Sequence, residues 1–380
     1  MVHQPLAIHG NGYSLTYDPS LRRKTPLALA LVAEIARSGP IPVAEYMQRC
    51  LWDPSGGYYA TRNPLGRSGD FITAPEISQV FGELIGLWSA VVWRDVMGAP
   101  GNVTLLELGP GRGTLMRDAL RATKSLAGFR QALRCHLVEA SQPLIDVQRA
   151  TLTQSSERLS WSSGLARCSG PAIIVANEFF DALPIDQWTM TSEGWRARAV
   201  GLDETGTLSF TTLTGGESVT STDEFPDAPA GAIVERSHTD ELLENIATLA
   251  TTGPVAAIIV DYGHTASGVG DTLQAVRAHA HEHPLSSPGE ADLSAQVDFA
   301  RLAATARQAG LEVDEPVSQG EFLGRLGIVE RARTLMSANP AIAGEIEVAI
   351  ARLISPEAMG SRFKVLGLRS AGLPALPGLS

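Results

Sequence analysis

The 380-residue chain carries a net charge of -11, is 44% hydrophobic and 19% charged, and contains three cysteines. That length buries a large core in one elaborated domain or two, and the acidic balance excludes the basic footprint of a nucleic-acid binder. Cys50, Cys135 and Cys168 lack metal or redox spacing, which predicts reduced thiols.

The first residues to Lys24 show neither the apolar core of a secretory signal nor the arginine-rich, acid-free character of an organelle presequence. With no run of 18 apolar residues, the expectation is a cytoplasmic protein with no membrane insertion. Residues 25–100 read as helical. Apolar periodicity over 26–37 stops at Gly39, and Pro42 is placed in the first turn of a second helix carrying Val43, Tyr46, Met47 and Leu51. Thr73 and Glu76 have capping-box spacing, and Ile77, Val80, Phe81, Leu84, Trp88, Val91 and Val92 then recur at helical intervals, predicting one long helix. Between these elements, Gly56, Gly57, Tyr58 and Tyr59, then Gly66, Gly69 and Asp70, form two glycine-rich turns. They suit either a lid over a ligand or plain turns.

From Val103 onward, strands alternate with helices, the pattern of an α/β fold with a mostly parallel sheet. The first strand runs to Glu107 and Leu108 and is followed by Gly109, Gly111 and Gly113 before a helix starts. A dinucleotide fingerprint needs its third glycine at 114, where Thr114 stands. The acid at 107 suits an ammonium and repels a pyrophosphate. The loop therefore reads as a site for S-adenosyl-L-methionine, with Glu107 serving its amino-acid end. The strand over 133–138 ends at Glu139, placed to hold both ribose hydroxyls. A third apolar strand over 172–176 runs into Asn177, Glu178, Phe179, Phe180 and Asp181. Carboxylates there can grip a guanidinium and receive its proton, while the aromatics exclude water. The plainer reading makes Glu178 and Asp181 helix caps and the two phenylalanines core.

A hairpin is predicted around Gly206, and a core strand over 256–260 ends at Asp261. Residues 285–355 read as helices, with Ser318 and Glu321 as a second capping box, and 363–368 as a late strand. The resulting division is 1–100, a helical region and cofactor lid; 101–284, the core with a β-hairpin insertion around 190–232; 285–355, a helical insertion; and 356–380, a late strand and tail. His279, His281 and His283 alternate without completing a metal set, and no metal is expected.

These residues resemble the MidA family of S-adenosylmethionine-dependent methyltransferases. The likeness rests on 43–47, 57–59, 69–78, the glycine loop, 177–184, 261–263 and 270–274. It implies a class I methyltransferase core, Rossmann-like with helices on both faces, and protein arginine methylation as in the related mitochondrial assembly factor of respiratory complex I. The expected roles are catalytic for Glu178, Asp181 and Asn177, and cofactor-binding for Glu107, Gly109, Gly111, Gly113, Glu139, Gly69 and Asp70. The expected partner is a protein substrate, such as a complex I subunit, with a homodimer left open. Two alternatives stand beside this: a cofactor-binding scaffold without turnover, and a small-molecule methyltransferase. No acid follows the segment near Trp161 to hold adenine, leaving Ser162, Ser163 or backbone groups for that contact.

Overall fold

The structure is a computed structural model that describes residues 22–61, 72–153, 158–165, 168–213 and 225–379. The chain divides into two compact units. The larger takes in residues 65–180, 239–265 and 299–380, and the smaller residues 1–64, 181–238 and 266–298.

The larger unit is built on a mixed sheet. Its strands in chain order are β1 (Val103–Leu108), β2 (Leu133–Val138), β3 (Leu159–Ser162), β4 (Ala172–Asn177), β5 (Val255–His264), β6 (Glu312–Ser318) and β7 (Phe363–Arg369). They lie in the order β3-β2-β1-β4-β5-β7-β6. The first five pair in parallel, and β7 runs antiparallel between β5 and β6. Every residue of β4 is buried, as a strand covered on both faces requires; each Ile or Val so placed contributes about 1.5–3 kcal/mol. The order reverses between β1 and β4, so the carboxyl ends of these two strands flank the crevice where open α/β sheets take ligands.

Three helices matter for that crevice: α1 (Gln79–Val91), α2 (Thr114–Ala122) and α3 (Gln142–Thr151). On α1, a Cβ added at Gly86 would lie 2.6 Å from the Ala119 backbone of α2, so the two helices meet main chain to main chain. Buried Glu83 of α1 is paired with Arg121 at 2.9 Å and Arg331 at 2.7 Å.

The long helix expected from Thr73 is interrupted. A single turn, Ala74–Ile77, ends at Ser78, whose backbone is extended and whose side chain caps the start of α1 by accepting from Val80 N–H. Thr73 makes no side-chain cap; its backbone carbonyl takes the Glu76 N–H at 2.9 Å. The stretch 285–355, read as helical, also contains β6, an edge strand of partly polar residues with little apolar alternation to announce it. The late strand and the Ser318 cap on the Glu321 N–H are present.

In the smaller unit, helix Pro26–Ser38 starts at the Thr25 cap and stops at Gly39. Pro42 lies just before helix Val43–Trp52, pairing with Ala199, rather than inside its first turn. The predicted hairpin is strands Gly194–Leu202 and Leu208–Thr212, part of an antiparallel sheet with Ile185–Thr191 and Ile233–Ser237. Among the described residues, no helix is long and apolar enough to cross a membrane.

Candidate cofactor and acceptor site

The glycine turn after β1 has the left-handed backbone its sequence promised, with φ of 62° at Gly109, 53° at Gly111 and 78° at Gly113. Side chains are disfavoured there, and at Gly109 one would also collide, since its Cβ would fall 2.6 Å from Cδ2 of Phe179. The bare turn leads directly into α2, whose first residue, Thr114, donates to Glu76 Oε1 at 2.5 Å. Arg112 of the turn faces the same carboxylate at 3.8 Å. The short helix Ala74–Ile77 thus abuts the turn.

Glu107 is buried next to this turn, with Oε2 lacking any hydrogen-bond partner. Burial drives its carboxyl up to about 8, only partly countered by the Met116 N–H. A buried, unsatisfied carboxyl is costly without a ligand. At the end of β2, Glu139 is likewise buried, and desolvation raises its pKa against the pull of Ser141 N–H, Gln148 and Ala140 N–H. Its Oε1 accepts from Ser141 N–H at 2.8 Å and its Oε2 from Gln148 Nε2 at 3.1 Å. Gln148, on α3, also donates to the Gly111 carbonyl at 2.8 Å and accepts from Trp161 Nε1 at 2.9 Å. Sequence reading missed this residue, since nothing local marks a mid-helix glutamine.

β4 delivers Asn177 and Glu178 to the adjoining position. Asn177 is buried, its Nδ2 3.3 Å from Glu178 Oε1 and its Oδ1 without a partner. Glu178 has φ 51°, a strained conformation for a side-chain-bearing residue. It caps the short helix Ala74–Ile77 by accepting from Ala74 N–H at 2.8 Å. Phe179 packs over Gly109, whereas Phe180 enters the core. The turn is anchored by Asp261 at the far part of β5, fully buried, whose Oδ2 accepts from Phe179 N–H and Phe180 N–H and whose Oδ1 accepts from Tyr262 N–H. Asp261 is a second residue the sequence reading left without a role.

Asp181 falls in the smaller unit. There its carbonyl accepts from Ala295 N–H at 2.9 Å. Tyr59, hydrogen-bonded to both Asp292 oxygens at 3.0 Å, has its hydroxyl pKa pushed well up by burial and by the charges of Asp292 and Asp181. Gly66, Gly69 and Asp70 lie outside the described residues. The features of the larger unit fit S-adenosylmethionine: a bare cradle, a buried carboxyl oxygen with no partner, and an acid at the second strand end. Among the described residues, no cluster suits a metal.

A family model of S-adenosyl-L-methionine-dependent methyltransferases matches residues 84–317. The human protein arginine methyltransferase NDUFAF7, mitochondrial, is 36% identical, with 96% of this chain and 88% of that protein covered. Its Drosophila melanogaster homologue is 35% identical over 90% and 84%. A crystal structure of a COG1565 superfamily member from Burkholderia thailandensis, bound to S-adenosyl-homocysteine, superposes with a TM-score of 0.81 at 27% identity, covering 93% of each chain. The expected cytoplasmic location is overturned by the human and Drosophila relatives, which are mitochondrial proteins.

Proposed function

The chain belongs to the MidA family of S-adenosylmethionine-dependent methyltransferases, and on that premise we propose that it methylates an arginine of a partner protein. Its class I, Rossmann-like core is supported by a sheet whose five parallel strands reverse order between β1 and β4 and whose β7 runs antiparallel to both β5 and β6. The observation that carries it furthest is the Asn177–Glu178 pair, held at the strand end beside the glycine turn by a strained backbone.

In this account Gly109, Gly111 and Gly113 cradle the cofactor, Glu107 takes its ammonium, and Glu139 takes its ribose hydroxyls. Gly69 and Asp70 are assigned to the same binding surface from sequence. The cofactor supplies an electrophilic methyl group. A guanidinium remains protonated in water and is a poor nucleophile. Glu178 grips it by charge-assisted hydrogen bonds and takes up a proton as the methyl arrives. Asn177 orients Glu178, leaving its own Oδ1 to accept from the acceptor, and Asp181 is assigned a catalytic role from sequence. Phe179 shields the site from water.

The partner we favour is a subunit of respiratory complex I, following the family resemblance and the mitochondrial arginine methyltransferases among the relatives. The test is incubation of the protein with methyl-labelled S-adenosylmethionine and mitochondrial extract, followed by acid hydrolysis. Labelled methylarginine in a protein band, lost with Glu178→Ala, supports the reading. Label only in small molecules, or none at all, overturns it.

A further inference from the structure

The side chain of Gln148 is fully buried, and both of its amide hydrogens and its carbonyl oxygen have hydrogen-bond partners. One N–H goes to the Gly111 carbonyl and the other to Glu139 Oε2, while the carbonyl oxygen takes the indole N–H of Trp161. A primary amide has two hydrogens and one oxygen to offer, so the three neighbours together fix which end points where. Trp161 can only donate; it therefore turns the oxygen of Gln148 toward itself and the nitrogen toward the acid. Glu139 Oε1 is held from the other side by Ser141 N–H, so its carboxylate is clamped at both oxygens.

We propose that Gln148 is a positioning residue for the cofactor. Through Glu139 it sets the carboxylate that receives the ribose, and through Gly111 it ties that acid to the glycine turn. The proposal rests on the assignment of Glu139 to the ribose hydroxyls. It also accounts for the residue type. Glutamate at 148 would set one carboxylate against another and against a carbonyl oxygen, and methionine of similar shape would offer no donor at all.

The experiment is calorimetric titration with S-adenosyl-homocysteine and with its 2′-deoxyribose counterpart. The wild-type protein is expected to prefer the hydroxylated ligand by about tenfold or more, as for a hydrogen bond to a charged group. Gln148→Met and Gln148→Glu should weaken binding of the first ligand more than the second, shrinking that ratio several-fold. Trp161→Phe, which touches neither ligand group in this account, should shrink it too, by freeing the amide to rotate. A general disturbance of folding would weaken both ligands alike, so an unchanged ratio in the variants overturns the proposal while leaving the ribose assignment intact. Equal binding of both ligands by the wild type overturns that assignment and the proposal with it.

Discussion

Asp261 holds the Phe180 backbone from 81 residues away in sequence, accepting its N–H at 2.9 Å through the same Oδ2 that takes the Phe179 N–H at 3.2 Å. With Oδ1 on Tyr262 N–H, both carboxylate oxygens face donors. The turn bearing Glu178 depends on this arrangement. Asp261→Asn must point an NH2 at one of those N–H groups, so a loss of about 1–3 kcal/mol in stability is expected. Methyl transfer should fall further than the affinity for S-adenosyl-homocysteine, measured by paired turnover and calorimetry.

Glu178 separates conformation from chemistry. Its left-handed backbone costs roughly 1–2 kcal/mol for a residue with a Cβ, and glycine removes that cost. Glu178→Gly should therefore unfold at a higher denaturant concentration than Glu178→Ala, with both inactive. Restored transfer in the glycine variant would show that the carboxylate is dispensable.

Glu107 gives a pH dependence whose sign is fixed. Its carboxyl is at about 8 in the folded protein, above the ordinary unfolded value near 4.3. The folded state thus binds the extra proton, and the contribution to stability present at low pH is lost progressively as pH rises from about 4.3 to 8. Glu107→Gln should flatten that slope in urea titrations. An ammonium placed on this carboxyl favours its ionised form, so S-adenosylmethionine affinity should rise with pH toward 8 in the wild type, with proton release visible as a buffer-dependent heat. The glutamine variant should show neither effect.

Gly109→Ala combines an unfavourable φ with a methyl driven into the Phe179 ring. Cofactor binding should be lost, and the cost in stability should be about 1–3 kcal/mol, as for other overpacked sites. An alanine variant that binds normally would show that the turn is not the cradle.

Much of the site was legible because its signals are local. Glu107 and the three glycines fall within seven consecutive residues, and their left-handed backbone is the one glycine alone adopts freely. Ser318 and Glu321 likewise announced their cap. Gln148 and Asp261 were opaque because each ties the site to a segment far along the chain: Gly111 is 37 residues from Gln148, and Phe179 is 82 from Asp261. The break at Ser78 was hidden by apolar periodicity that continues across it, from Ile77 to Val80 and Phe81. β6 went unseen because an edge strand need bury only part of one face.

The most direct measurement compares Glu139→Ala and Glu178→Ala in parallel, titrating each with S-adenosyl-homocysteine and following label transfer to protein arginine. Glu139→Ala is expected to lose affinity, whereas Glu178→Ala is expected to bind as the wild type does and to transfer nothing. Equal loss of both properties in both variants, or full transfer by Glu178→Ala, would contradict this expectation.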